Sequence, residues 1–194
     1  ASELAIAQAS LNRKVTENGI AKMAPGFLED YLAERSVSFL REAAESRQPF
    51  FLHLSTQVPH LDHEFRWHPK PETLVRYRDI EIPLPDSWND SLRDKPAYLR
   101  SCRNRTQGLK YGYDSAAKIR DHIRSYYAAI TDLDACLGRV FGTLRELGLE
   151  QNTYVMLMGD NGWFLGEHGF TSKVLPYEES MRVPLLAAGP GNRP

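Results

Sequence analysis

The sequence predicts an α/β fold, and three observations carry that expectation. Phe50–Leu54 and Thr153–Met158 are short, continuously apolar runs, which read as buried strands rather than amphipathic ones. Helical periodicity alternates with them, over about residues 27–44 and 115–147. A polar turn follows each run, Val58-Pro59-His60 in one case and Gly159-Asp160-Asn161-Gly162 in the other. In α/β sheets, ligands bind outside the carboxyl ends of strands, where these turns lie.

Taken in order, the first helix rests on Leu28, Tyr31, Leu32, Phe39, Leu40 and Ala43, with charges between them and Pro25-Gly26 ahead. The Phe50–Leu54 strand comes next. From Pro59 to about Tyr113 the periodicity breaks down. Prolines punctuate a stretch dense in charges, whose Trp67, Trp88, Tyr77 and Tyr98 argue against plain disorder. It reads as an irregular excursion packed over the domain surface. The clearest helix follows, as Ile119, Ile123, Tyr126, Ile130, Leu133, Leu137, Val140, Leu144 and Leu147 step by three or four. Asp114 or Ser115 suits its N-cap, and Gly148 suits the left-handed position past its end. A second buried strand is expected over Thr153–Met158 and a third over Pro184–Ala188, whose proline fits a first position.

Size and charge narrow the function classes. The 194 residues are 42% hydrophobic, enough for a sizeable core. With 24 basic against 25 acidic residues, there is no charge excess of the kind that marks a nucleic-acid binder. No apolar run is long enough to span a bilayer as a helix. Cys102 and Cys136 form no CxxC pair and lack a histidine at zinc-ligand spacing.

Within Gly159-Asp160-Asn161-Gly162, a carboxylate beside a carboxamide offers two hard oxygen ligands, which suit Ca²⁺ or Mg²⁺. The flanking glycines allow a sharp turn at the strand end. An Asx-type turn is the competing reading, since all of these are ordinary turn residues. The continuation adds Gly166-Glu167-His168-Gly169, then Lys173, then Tyr177-Glu178-Glu179-Ser180-Met181-Arg182-Val183-Pro184. Together with the preceding strand, this resembles the carboxyl-terminal signature of sulfatases in the alkaline phosphatase superfamily. Those proteins read S-D-N-G or S-D-H-G, then L-G-E-H-G, a lysine, and Y-E-E-S-x-R-V-P-L. Gly159 stands here where serine is usual. Upstream, Pro49–Ser55 with Val58-Pro59-His60 is similar to the family's P-F-F-L-x-L-S…A-P-H, and Ser125–Val140 to its Y-Y-A…D…G-R-V helix.

The resemblance implies part of an alkaline phosphatase-like mixed β-sheet flanked by helices, incomplete on its N-terminal side, with residues 1–194 forming a partial catalytic domain. It implies an arylsulfatase-type hydrolase acting on a small-molecule or saccharide sulfate ester. Asp160 and Asn161 would ligate the cation, usually calcium, with magnesium as the alternative. Lys173 would contact a sulfate oxygen or the bridging oxygen, and His60 would donate to the departing oxygen. Alone, a histidine in a proline-rich turn or a single lysine is more often exposed surface. His168 fits a local structural role, and Glu178, Glu179 and Arg182 fit capping and ion-pair contacts.

Family members carry a formylglycine nucleophile, made from cysteine or serine in C-x-P-x-R. Cys102 is followed by Arg103-Asn104-Arg105 and Cys136 by Leu137-Gly138-Arg139, so neither fits. The expectation is that the chain begins inside the domain and is inactive alone. Two alternatives stay open: a phosphodiesterase or phosphonate hydrolase of the same superfamily, and a binding-only relative. Arg100, Arg103, Arg105 and Lys110 form a local basic cluster that could hold an anion, although a solvated charge run is the commoner reading. Asn89-Asp90-Ser91 and Asn104-Arg105-Thr106 are formal glycosylation sequons.

Overall fold

The computed structural model describes residues 13–62 and 65–191. It divides into two compact units. The first takes in residues up to Arg78, then Ser125–Tyr154 and the chain from Gly189; the second takes in Asp79–Arg124 and Val155–Ala188.

The first unit opens with a hairpin, β1 (Lys14–Glu17) against β2 (Ile20–Met23), antiparallel with Lys14 opposite Met23. Asn18 and Gly19 both have positive φ, 51° and 81°, the type I′ geometry whose twist matches paired strands. Helix α1 (Leu28–Ser46) follows, with Glu29 and Asp30 in its first turn, where carboxylates suit the helix dipole. Its buried stripe is Glu29, Ala33, Ser36 and Leu40. That stripe is rotated from the apolar set expected from sequence, of which only Leu40 is fully buried. The rotation has a physical cause: Glu29 goes inward because its Oε1 accepts the Val58 N–H at 3.1 Å.

Phe50–Leu54 departs from expectation. It belongs to no sheet among the described residues, and Phe51 is 87% exposed. An apolar run is buried only where something covers both faces, and nothing among the described residues pairs with this one.

The long helix α4 (Ala116–Glu146) supplies its residues from Ser125 onward to the first unit. Asp132 is buried there, taking the Lys70 N–H at 2.7 Å and the Thr73 hydroxyl at 2.5 Å. Those two donors open a short helix, α2 (Pro71–Val75), with proline in its first turn. Past the long helix's end, Gly148 has φ 68°, its N–H meets the Arg145 carbonyl, and the Leu149 N–H meets the Leu144 carbonyl at 2.9 Å. This is the left-handed Schellman ending that Gly148 predicts.

In the second unit, β3 (Val155–Met158) pairs antiparallel with β6 (Leu185–Ala188), Val155 opposite Ala188. Both were expected to be buried, but Met156 is 70% exposed and Leu185 64%. Among the described residues the pair is a two-stranded ladder, with β6 exposed throughout and alternate β3 residues half-buried. A smaller hairpin joins β4 (Phe164–Leu165) to β5 (Thr171–Ser172). Two clusters form the core here: Ile82, Tyr113, Ile119 and Ile123, and then Leu92, Leu99, Phe164 and Phe170.

The stretch from Pro59 to Tyr113 is therefore more than a surface excursion. It holds α2, a 3₁₀ turn at Ala97–Arg100 and helix α3 (Arg103–Lys110). Leu61 and Trp67 are buried in the first unit, and Ile82, Leu92 and Leu99 in the second. Its basic cluster is also partly spent on structure. Arg100 donates to the Leu92 carbonyl and Arg105 to the His168 carbonyl, both at 3.0 Å.

Asp132→Ala strands the Thr73 hydroxyl and the Lys70 N–H together. Losing two bonds to a charged acceptor should cost about 3 kcal/mol, read as a lower midpoint in urea unfolding.

Candidate functional site

The turn after β3 is built by backbone constraints on both sides. The Gly159 N–H donates to the Pro184 carbonyl at 3.2 Å, and the Gly162 N–H to the Ser180 carbonyl at 2.9 Å. A β-carbon on Gly162 would collide with the Glu179 main-chain carbonyl, so this position needs glycine for close approach rather than for unusual dihedrals. Gly159 differs. A β-carbon there would lie 3.4 Å from Pro184 Cδ, near ordinary contact, which accommodates the serine usual at this position in the resembled signature.

Asp160 and Asn161 stand between them. Asp160 Oδ1 accepts the Asn161 N–H at 2.9 Å, so the turn reading and the ligand reading describe one residue. The Asn161 carboxamide is oriented at both ends: Nδ2 donates to the Gly162 carbonyl at 2.7 Å, and Oδ1 accepts Lys173 Nζ at 2.7 Å. Three of the expected residues thus fall in one neighbourhood, and Lys173 touches Asn161 directly.

As a cation site this set is partial. Asp160 is exposed, and its Oδ2 has no partner among the described residues. Asn161 Oδ1 keeps a second lone pair beside the one that meets the ammonium. Two hard oxygens fit calcium chemically but supply only a fraction of its usual six to eight ligands. No group of three or more His, Cys, Asp or Glu that could hold a metal occurs among the described residues.

Lys173 is carried by strained main chain. Ser172 before it has φ 74° and Val174 after it φ 90°, a conformation that is costly for a β-branched residue. Ser180 Oγ accepts the Val174 N–H at 2.9 Å and so holds the second of these. Glu178 and Glu179 lie in the first turn of helix α5 (Glu178–Met181) without side-chain capping, and neither pairs with Arg182 among the described residues. Their main chain contributes instead, as Glu178 O accepts the Arg182 N–H at 2.8 Å.

His168 occupies the turn of the β4–β5 hairpin, whereas Asn161 and Lys173 flank its open end. Its Nδ1 lies 2.7 Å from Asp90 Oδ2, its N–H donates to the Ser87 carbonyl, and φ is 55°. The Leu92 N–H and then His168 hold the Asp90 carboxyl below the usual carboxylate range. Burial pushes the neighbouring Glu167 carboxyl upward, against the Leu165 N–H that its Oε2 accepts at 2.7 Å. These contacts lock the turn, and the carboxylate partner Asp90 carried no local signal in the sequence.

His60 belongs to the first unit. Its Nδ1 is 2.6 Å from the Leu61 carbonyl, and its N–H donates to the Gln57 carbonyl at 2.7 Å. A carbonyl only accepts, so Nδ1 carries the proton of that bond. Two neighbours fix the turn. Asp62 Oδ1 accepts the Arg66 N–H at 2.9 Å, its Oδ2 accepts from His68 Nε2 at 2.7 Å, and Trp67 Nε1 donates to the Pro59 carbonyl at 2.8 Å.

With this geometry in view, comparison with known proteins identifies the family. The sulfatase family model matches residues 6–194. The chain belongs to the sulfatase family. It is 29% identical over 189 residues to an arylsulfatase of Volvox carteri, covering 87% of this chain and 28% of that protein. Against iduronate 2-sulfatase of Mus musculus it is 31% identical over 184 residues, covering 89% and 32%. A solved structure, of a protein in complex with its substrate D-glucosamine-2-N,6-O-disulfate, superimposes with TM-score 0.76 at 22% identity. That match covers 93% of this chain and 47% of the other, and it shows the α/β sulfatase fold. The chain spans 28% and 32% of the length of those two curated relatives, about three tenths.

The two glycines of the turn should respond differently. Gly162→Ala forces main chain from main chain and should cost at least about 1–3 kcal/mol in denaturant unfolding. Gly159→Ser should stay within about 0.5 kcal/mol of the parent.

Proposed function

We propose that this chain is part of the catalytic domain of a protein that hydrolyses sulfate esters. The observation that supports it most is the Lys173 ammonium, held 2.7 Å from Asn161 Oδ1 beside the exposed Asp160 carboxylate, within the stretch the family model matches.

Each residue has a physical task. Lys173 is a compact cation with three donors. It keeps one on Asn161 and offers the others to a sulfate oxygen or to the bridging oxygen, where negative charge grows as the ester bond breaks. The likeness of Val58-Pro59-His60 to the family's A-P-H segment supports His60 as the donor to the leaving oxygen. With Nδ1–H on the Leu61 carbonyl, Nε2 is the ring nitrogen this role would use. Asp160 and Asn161 would hold calcium, which supplies positive charge against the sulfate group; magnesium, smaller and stricter in geometry, suits two such ligands less well. The nucleophile would be a formylglycine hydrate, supplied from outside these residues.

The substrate class is a sulfated small molecule or saccharide. The names of the mouse relative and of the disulfated glucosamine bound in the structural neighbour support a sugar. Against a phosphodiesterase of the same superfamily stand Asn161, where those enzymes often place histidine, and Lys173.

Sulfate release by the full-length protein, from an aryl sulfate and from sulfated saccharides, tests this. Asp160→Ala and Lys173→Ala should each lower kcat by about 10²–10³, and chelation of calcium should reversibly suppress activity. Cleavage of phosphate diesters with no sulfate release would replace the reading with the phosphodiesterase. Turnover of neither, with sulfated ligand still bound, would make it a binding relative.

A further inference from the structure

We propose that Asn104 is a positioning residue for Lys173, acting through the main chain on either side of Ser172. The inference rests on the sulfate-ester reading of Lys173.

Asn104 lies in the first turn of α3 and is only 6% exposed. Its Nδ2 donates to the Thr171 carbonyl at 2.8 Å and to the Lys173 carbonyl at 2.9 Å. A carboxamide nitrogen has two protons, and both are spent on carbonyls that bracket one residue. That residue, Ser172, sits at φ 74°, and Val174 beyond Lys173 sits at φ 90°. Neither conformation is one that serine or valine adopts unaided, so the surroundings must over-determine it. The two Asn104 bonds do so at the first position and the Ser180 hydroxyl at the second.

The direction of Lys173 follows from this clamp. Its carbonyl is fixed by Asn104 and its ammonium by Asn161 Oδ1, so the side chain spans two anchored points. The clamp has a rigid base. α3 packs against the hairpin so closely that a β-carbon on Gly108 would collide with the Gly169 carbonyl, while Arg105 holds the His168 carbonyl at the hairpin's other end. Adjacent residues of one helix thus grip both ends of the segment that carries the lysine.

No other residue type substitutes well. Aspartate has the same shape, but it puts an acceptor oxygen in place of Nδ2, facing both carbonyl oxygens. Serine keeps a single donor on a shorter stem. The sequon reading of Asn104-Arg105-Thr106 also gives way, because a glycan would need the buried nitrogen that makes both bonds.

The test is a mutant cycle on the full-length protein, with sulfate release as the readout. Asn104→Asp should lower kcat at least tenfold with a smaller change in KM, and Asn104→Ser should fall between it and the parent. In a Lys173→Ala background, Asn104→Asp should cost less than threefold, because the residue it acts through is already gone. Retention of the full tenfold factor in that background, or a parental kcat in Asn104→Asp, overturns the inference. A parental rate in Lys173→Ala alone would instead overturn the sulfate-ester role of the lysine. An activity-independent readout completes the test: NMR of the ¹³C-dimethylated Lys173 amine. Its resonance should move in Asn104→Asp and Asn104→Ser; a resonance that stays at its parental position while unfolding stability falls assigns Asn104 to stability alone.

Discussion

Main chain touching main chain is the constraint on which the second unit depends. At Gly162 the turn after β3 lies against the carbonyl of Glu179, and at Gly108 helix α3 lies against the carbonyl of Gly169. Neither approach leaves room for a β-carbon. Each therefore fixes the distance between two segments more stiffly than side-chain packing would, since side chains can change rotamer and backbone cannot. The Asp160-Asn161 turn is locked to α5 by the first approach, and the β4–β5 hairpin to α3 by the second. Lys173 lies on the stretch between those two locks.

The polar contacts within that frame share one character. Most join a side chain to a main-chain group: Asn104 to Thr171 and Lys173, Arg105 to His168, Ser180 to Val174, Glu167 to Leu165. A backbone carbonyl or N–H cannot swing away from its partner, so such bonds set the path of the chain as well as stabilising it. This is how two non-glycine residues persist at positive φ beside Lys173, where isolated preference would not keep them. The first unit uses the same device around His60, where Asp62 and Trp67 hold the turn through the Arg66 N–H and the Pro59 carbonyl.

What the sequence shows of this depends on how local each cause is. Gly148 is legible because the left-handed ending follows from one residue type at one position. Asn18-Gly19 is an equally local hairpin signal, one that apolar runs and helical periodicity do not register. The Asp160-Asn161-Lys173 group is legible through an ordered motif, where the tetrapeptide alone supports only a turn. The apolar runs mislead in a physical way: Phe50–Leu54 and Thr153–Met158 announce strands that want cover, while Phe51, Met156 and Met158 are exposed in the structure. Helix faces fall between these cases. The α1 stripe is rotated because Glu29 bonds the Val58 N–H, a contact 29 residues away that periodicity cannot register.

Asn104 shows why a site can be half readable. Its partners lie 67 and 69 residues downstream, and its neighbours spell a sequon that points to the surface. Only the packing of α3 on the hairpin turns an ordinary polar residue into a clamp. The chemistry proposed for Lys173 needs little from the protein beyond charge and direction, because an ammonium is a strong donor wherever it stands. Direction is the scarce quantity: a lysine has four rotatable bonds and costs about 2 kcal/mol of rotamer entropy to fix. Anchoring both the carbonyl and the ammonium means that cost is met when the protein folds. A lysine anchored only at its tip would still be free to withdraw along its stem, and it would offer the departing oxygen charge without alignment.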